Sequence, residues 1–175
     1  MAITGGIGAG KSSALEAFRR HGAATISSDE IVHRLYRDDP EVRDALSERF
    51  GTTDRTVIAR IVFDDPSELE WLEALLHPRV VRAYQQWAAE QTAQLTVTEI
   101  PLLYETGGER RFDVVVVITA PADVRGRRRP VGDLREQRLL PEDEKLRQAD
   151  YAYVNDGTLE ELDAFVADVM AKLTA

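Results

Sequence analysis

The sequence predicts a three-layer α/β domain, a five-stranded parallel sheet with helices on both faces. Three observations predict it. Residues 5–12 read Gly-Gly-Ile-Gly-Ala-Gly-Lys-Ser, the phosphate-loop pattern G-x-x-x-x-G-K-[ST], between a β-like run at 2–4 and a helical pattern from Ser13. Short apolar runs alternate with helical stretches along the chain, as a parallel sheet with crossover helices requires. Residues 114–118 are Val-Val-Val-Val-Ile, a β-branched run that suits a strand covered on both faces.

Each element follows from local signals. Strand 2–4 runs into the loop, and a helix begins at Lys11-Ser12. A second strand, 23–26, ends in Ser27-Ser28-Asp29. Helices are expected at 29–36 and 40–50, the second started by Pro40, with a turn at Gly51-Thr52-Thr53-Asp54. Val57, Ile58, Ile61 and Val62 give helix 55–63 its spacing. Asp65-Pro66-Ser67 ends it and caps helix 67–77, which carries Leu69, Leu72, Leu75 and Leu76 on one face. Pro78 is expected to interrupt before a further helix, 79–93, with Val80, Tyr84 and Trp87 inward. Strands follow at 95–100, 112–119 and 151–154. Thr158 then caps a last helix, with Glu161 completing a capping box and Leu162, Phe165, Val166, Val169 and Leu173 forming its apolar stripe. The helical stretch 38–93 is too long for a simple crossover and reads as an inserted subdomain. The core is then 1–37, 94–121 and 146–175.

Bulk properties narrow the function. The 175 residues suggest one domain with ample core, 43% hydrophobic and 30% charged. A net charge of −9 disfavours nucleic acid and anionic membranes as partners. There is no cysteine, which removes disulfides and thiolate metal sites. Without a signal-peptide pattern or an apolar run of about 18 residues, a soluble cytoplasmic enzyme is expected. The oligomeric state is not legible.

The loop has a stated chemistry. Its glycines let successive N–H groups turn inward around an anion. Lys11 would reach the β- and γ-phosphates of a nucleoside triphosphate, Ser12 would ligate Mg²⁺, and the helix N-terminus adds its dipole. Gly8, Ala9, Gly10, Lys11, Ser12 and Ser13 are the candidate phosphate-binding residues. The alternative is a glycine-rich turn with an incidental lysine; the four fixed positions recur by chance in roughly one chain of this length in a hundred.

Other candidates lie at the carboxyl ends of the strands, where open α/β sheets bind ligands. Asp29 could orient and deprotonate an attacking hydroxyl, or merely cap the helix behind it. Glu99 or Glu105 could hold Mg²⁺ through water, or be solvated or capping carboxylates. Arg79, in His77-Pro78-Arg79, could grip a phosphate or be a surface arginine. Six arginines fall in 125–138: Arg125, Arg127, Arg128, Arg129, Arg135 and Arg138. They suit a lid over 122–145 that meets charge on a migrating phosphoryl group, or a solvated helix face.

These residues resemble the dephospho-coenzyme A kinase family. The resemblance rests on 4–13 (TGGIGAGKSS), 26–29, Arg60-Ile61-Val62-Phe63, Leu76-His77-Pro78-Arg79-Val80, Pro101-Leu102-Leu103-Tyr104-Glu105, Glu144-Lys145, Ala149-Asp150-Tyr151 and Asn155-Asp156-Gly157, in family order over nearly the whole chain. It implies a P-loop kinase fold with a helical acceptor-binding insertion and a short lid. It implies transfer from Mg-ATP to the ribose 3′-hydroxyl of dephospho-coenzyme A, giving coenzyme A and ADP. Asp29 would be the base, Asn155 and Gly157 would lie near the nucleotide base, and Arg135, then Arg129, would be the lid arginines. His77, Arg79, Pro101, Leu102 and Glu105 are the candidate acceptor-binding residues. Three features depart from the family pattern: Ser27 where an acidic residue is usual, a short insertion near 51–55, and a short lid with Leu139 where glutamine is usual. Two other readings stay open: another nucleotide or nucleoside kinase of this fold, and a nucleotide-binding regulatory protein without transfer activity.

Overall fold

The computed structural model describes residues 1–128 and 139–175. Two compact units divide them, Met1–Ser27 with Gln91–Ala175, and Ser28–Glu90.

The first unit is built on a parallel five-stranded sheet ordered β2-β3-β1-β4-β5. Its strands are β1 (Ala2–Thr4), β2 (Ala24–Ser27), β3 (Thr96–Glu99), β4 (Val115–Thr119) and β5 (Tyr151–Val154). Side chains alternate between the two faces of a strand, and here both faces are apolar. On one face Ile3, Val97, Val116 and Ile118 pack with Phe18 and Ala14 of α1 (Lys11–Arg20) and with Leu162, Val166 and Val169 of α8 (Leu159–Leu173). On the other, Ala2, Val115 and Val117 pack with Leu103, Tyr104 and Leu146, the last on α7 (Glu142–Gln148). The run 114–118 is therefore apolar throughout because β4 has no wet face. Strand β4 starts at Val115, three residues later than the 112–119 expectation, because Phe112 closes a 3₁₀ turn over Gly108–Arg111. A short helix, α6 (Ala122–Arg128), follows β4.

The second unit is helical: α2 (Ser28–Asp38), α3 (Pro40–Phe50), α4 (Arg55–Asp64) and α5 (Pro66–Ala89). Val42, Leu46, Ile58, Val62 and Leu76 form its core, flanked by Val32, Leu35, Tyr36 and Trp71. Three of its helices are capped by aspartates, and only the Asp65 cap is among those expected from sequence. Asp39 accepts from Val42 N, Asp54 from Thr56 N and Val57 N, and Asp65 from Ser67 N. The expected break at Pro78 does not occur, and α5 runs through it. Packing outweighs the missing N–H here: Trp71, Leu72, Leu75 and Leu76 hold that stretch against the core. Arg79 Nη1 also donates to Leu75 O at 2.9 Å, supplying a donor in the turn the proline weakens.

Candidate active site

Strand β1 delivers the chain into the loop at the sheet's centre. Gly5 has φ 141°, and a Cβ there would overlap the carbonyl oxygen of Ile118 on β4. Gly10, the residue before α1, has φ 96°. A side chain there would be strained and would overlap Asn155 Nδ2. The glycine pattern is thus set by two close approaches as well as by the loop's own turns.

The loop is tied at both ends. Lys11 is 8% exposed, and its Nζ donates to Gly6 O at 2.9 Å. Asn155, beyond β5 and 4% exposed, donates from Nδ2 to Ala9 O at 2.8 Å, while its N–H donates to Thr119 O at 2.7 Å. Asn155 therefore locks the loop to the ends of β4 and β5. Gly157 is exposed, and the space where its Cβ would stand holds the Glu161 carboxylate, which accepts from Thr158 N in the capping box.

Ser12 and Ser13 open α1 and are exposed. Ser12 Oγ donates to Glu99 Oε2 at 3.3 Å, across from the end of β3. A hydroxyl and a carboxylate at this spacing beside a phosphate cradle fit Mg²⁺, a hard cation bound by a few protein oxygens together with substrate phosphates.

Two arginines of α6 reach the loop. Arg128 Nη1 donates to Gly8 O at 3.4 Å. Arg125 Nε donates to Ala120 O at 3.1 Å and lies 3.5 Å from Glu142 Oε1. The other Glu142 oxygen accepts from Thr119 Oγ1. A Cβ on Gly6 would overlap Glu142 Oε1 and come 3.3 Å from Arg125 Nη1, so this cluster lies against the loop. Arg127 pairs with Asp123 on the exposed side of α6. Arg129 and Arg135 lie outside the described residues. The Thr119–Glu142–Arg125 cluster has no signature in the sequence. Its members are 23 and 17 positions apart, and only the fold brings them together.

After β3 the chain turns through 101–107. Thr4 Oγ1 donates to Pro101 O at 3.3 Å, and Thr106 Oγ1 donates to Leu102 O at 2.8 Å. Glu105 Oε1 accepts from Leu140 N and forms a charge contact with Lys145 Nζ, at 2.8 and 2.7 Å. Lys145 is 1% exposed, so this pair anchors α7 beside the turn after β3.

In the helical unit, Asp29 is exposed on the first turn of α2, two residues past the end of β2. His77 is exposed on α5. Arg79 donates to Glu41 Oε2 at 2.9 Å and lies 3.8 Å from Asp39 Oδ2, which fastens α5 to the start of α3.

A parallel sheet whose central strand opens into a glycine loop, a loop lysine and a helix N-terminus defines the class of P-loop kinases. A shikimate kinase from Bacteroides thetaiotaomicron has this fold, with TM-score 0.52 and 18% identity over 99% of this chain and 97% of that one. More specifically, the chain belongs to the dephospho-CoA kinase family (CoaE), whose profile matches residues 1–161. It is 35% identical to the dephospho-CoA kinase of Thermus thermophilus over 98% of this chain and 90% of that protein. The crystal structure of the Thermus thermophilus protein TT1252 superposes with TM-score 0.85 and 34% identity, over 99% of this chain and 97% of the other. The chain is accordingly a phosphotransferase with an alcohol group as acceptor, ATP as donor and a small-molecule substrate. Among the described residues, no helix is long and apolar enough to cross a membrane.

Proposed function

We propose that this protein transfers the γ-phosphoryl group of ATP to the ribose 3′-hydroxyl of dephospho-coenzyme A in the cytoplasm, completing coenzyme A synthesis. The observation that carries this reading is the tied loop, in a chain belonging to the dephospho-CoA kinase family. The N–H groups of residues 8–13 and the Lys11 ammonium bind the phosphates. Ser12 and Glu99 would hold Mg²⁺, which would supply charge neutralisation for the phosphates. Asp29 accepts the proton of the 3′-hydroxyl as its oxygen bonds to the γ-phosphorus and the bond to the ADP oxygen breaks. Lid arginines, Arg129 and Arg135 as well as Arg125 and Arg128, meet the charge on the migrating group. Asn155 and Gly157 flank the nucleotide base. His77, Pro101 and Leu102 contact the acceptor. Arg79 and Glu105 already hold ion pairs inside their own units, so we assign them to keeping those elements in place.

Phosphorus NMR of the product tests the reading. It predicts a new monoester on the 3′-carbon, formed from dephospho-coenzyme A in preference to nucleoside monophosphates. A monophosphate converted faster than dephospho-coenzyme A would favour the other kinase reading.

A further inference from the structure

Helix α2 carries Asp29, His33 and Tyr36 at spacings of four and three, so they share one stripe of the helix. The stripe spans about 10 Å at 1.5 Å per residue. Tyr36 is half-buried against the helical unit's core, which fixes its ring. Arg55, the first residue of α4, reaches back to this stripe. Its guanidinium carbon lies 5.5 Å from the Tyr36 ring centroid, over the face, and its Nη1 donates to His33 Nδ1.

The chemistry of this trio is one-sided. A guanidinium has no acceptor, so His33 must accept through Nδ1 and carry its proton on Nε2. What remains outward is donors: His33 Nε2–H and the other guanidinium N–H groups. Arg34, Arg37, Arg49 and Arg79 of the same unit each pair with a carboxylate. Arg55 pairs with none among the described residues, in a chain of net charge −9. A planar fork stacked on an aromatic ring and engaged by no carboxylate is an arrangement that can bind phosphate oxygens in pairs.

The geometry points to Arg55 and His33, braced by Tyr36, as the subsite for the diphosphate of the acceptor. This rests on the function proposed above. In dephospho-coenzyme A the diphosphate leaves the 5′ end of the same ribose whose 3′-hydroxyl reacts. A group facing the hydroxyl and a group facing the diphosphate must therefore stand about a sugar's width apart. Asp29 and the Arg55–His33 pair stand one to two helical turns apart on one stripe. The subsite selects an alcohol acceptor that carries a diphosphate ester, over a plain nucleoside.

Steady-state kinetics with each substrate varied in turn tests it, on wild type, Arg55→Gln, Arg55→Lys and His33→Phe. Arg55→Gln is expected to raise KM for dephospho-coenzyme A about 10- to 100-fold, the range for losing charged hydrogen bonds to phosphate. KM for ATP and kcat should stay near wild type. Arg55→Lys should fall between, since it keeps the charge and loses the fork, and His33→Phe should show a smaller rise. An unchanged KM for the acceptor in folded Arg55→Gln, or an equal rise in KM for ATP, would overturn the subsite. If Arg55→Gln does not fold, an unchanged acceptor KM in Arg55→Lys and His33→Phe would overturn it as well. Wild type that transfers nothing to dephospho-coenzyme A would instead remove the proposed function, and this subsite with it.

Discussion

Asn155 shows how one side chain can set the geometry of a binding loop. Its amide donates to Ala9 O from a buried position, so Asn155→Ala leaves that carbonyl without its donor. The expected loss is about 1–3 kcal/mol of stability, read by denaturant unfolding, together with weaker ATP binding. Unchanged stability and affinity would show that the loop holds its shape alone. In the proposed reaction Asp29 serves the chemistry rather than the fold. Asp29→Asn should leave ATP affinity near normal and lower turnover about 100-fold or more, and near-full turnover would remove it from the mechanism. Tyr104 gives a pH signature. Burial first, then the charges of Asp150 and Glu109, push its phenol up to about 12. An unfolded tyrosine ionises near 10. Between those values the unfolded chain binds fewer protons, so stability should fall as pH rises from about 10 towards 12. Tyr104→Phe should flatten that fall in pH-dependent unfolding curves.

At the scale of elements, caps and periodicity were legible because they are local. Asp65 and Thr158 cap helices where sequence puts them, and Asp39 and Asp54 cap α3 and α4 in the same way, since a cap needs only a short polar side chain and the next turn. Asp54→Ala should cost about 1 kcal/mol, measured by thermal unfolding. Asp65 adds a pH dependence. The Ser67 hydroxyl, then its N–H, hold the Asp65 carboxyl below its ordinary value. Its contribution is present above the ordinary carboxylate range and is lost as pH falls through the lowered value. Pro78 fails as a stop signal for the complementary reason. A proline is a local signal, but the continuity of α5 is decided by Trp71, Leu72 and Leu75 packing across the unit. Pro78→Ala should therefore add about 1–3 kcal/mol; no gain would show that the helix has adapted fully to the ring.

Across the whole molecule, one unit carries the nucleotide loop on its sheet and the other carries Asp29, the proposed base. Each half was legible to a different depth. The octet at 5–12 announces its chemistry because phosphate binding is done by backbone, and only glycines at fixed spacing permit that backbone. The arginines of 125–138 do not announce which of them reach the loop. That depends on the path of α6 after β4 and on Glu142, seventeen residues beyond Arg125, and neither leaves a pattern in sequence. The pairing of Glu105 with buried Lys145 is hidden in the same way: both residues stand in segments that resemble the family, yet their contact is made only when α7 packs on the sheet. The measurement that tests the account most directly is ADP release from Mg-ATP, with and without dephospho-coenzyme A. Rapid release that requires the acceptor and disappears in Lys11→Met is expected. ATP binding with no acceptor-dependent release would contradict it.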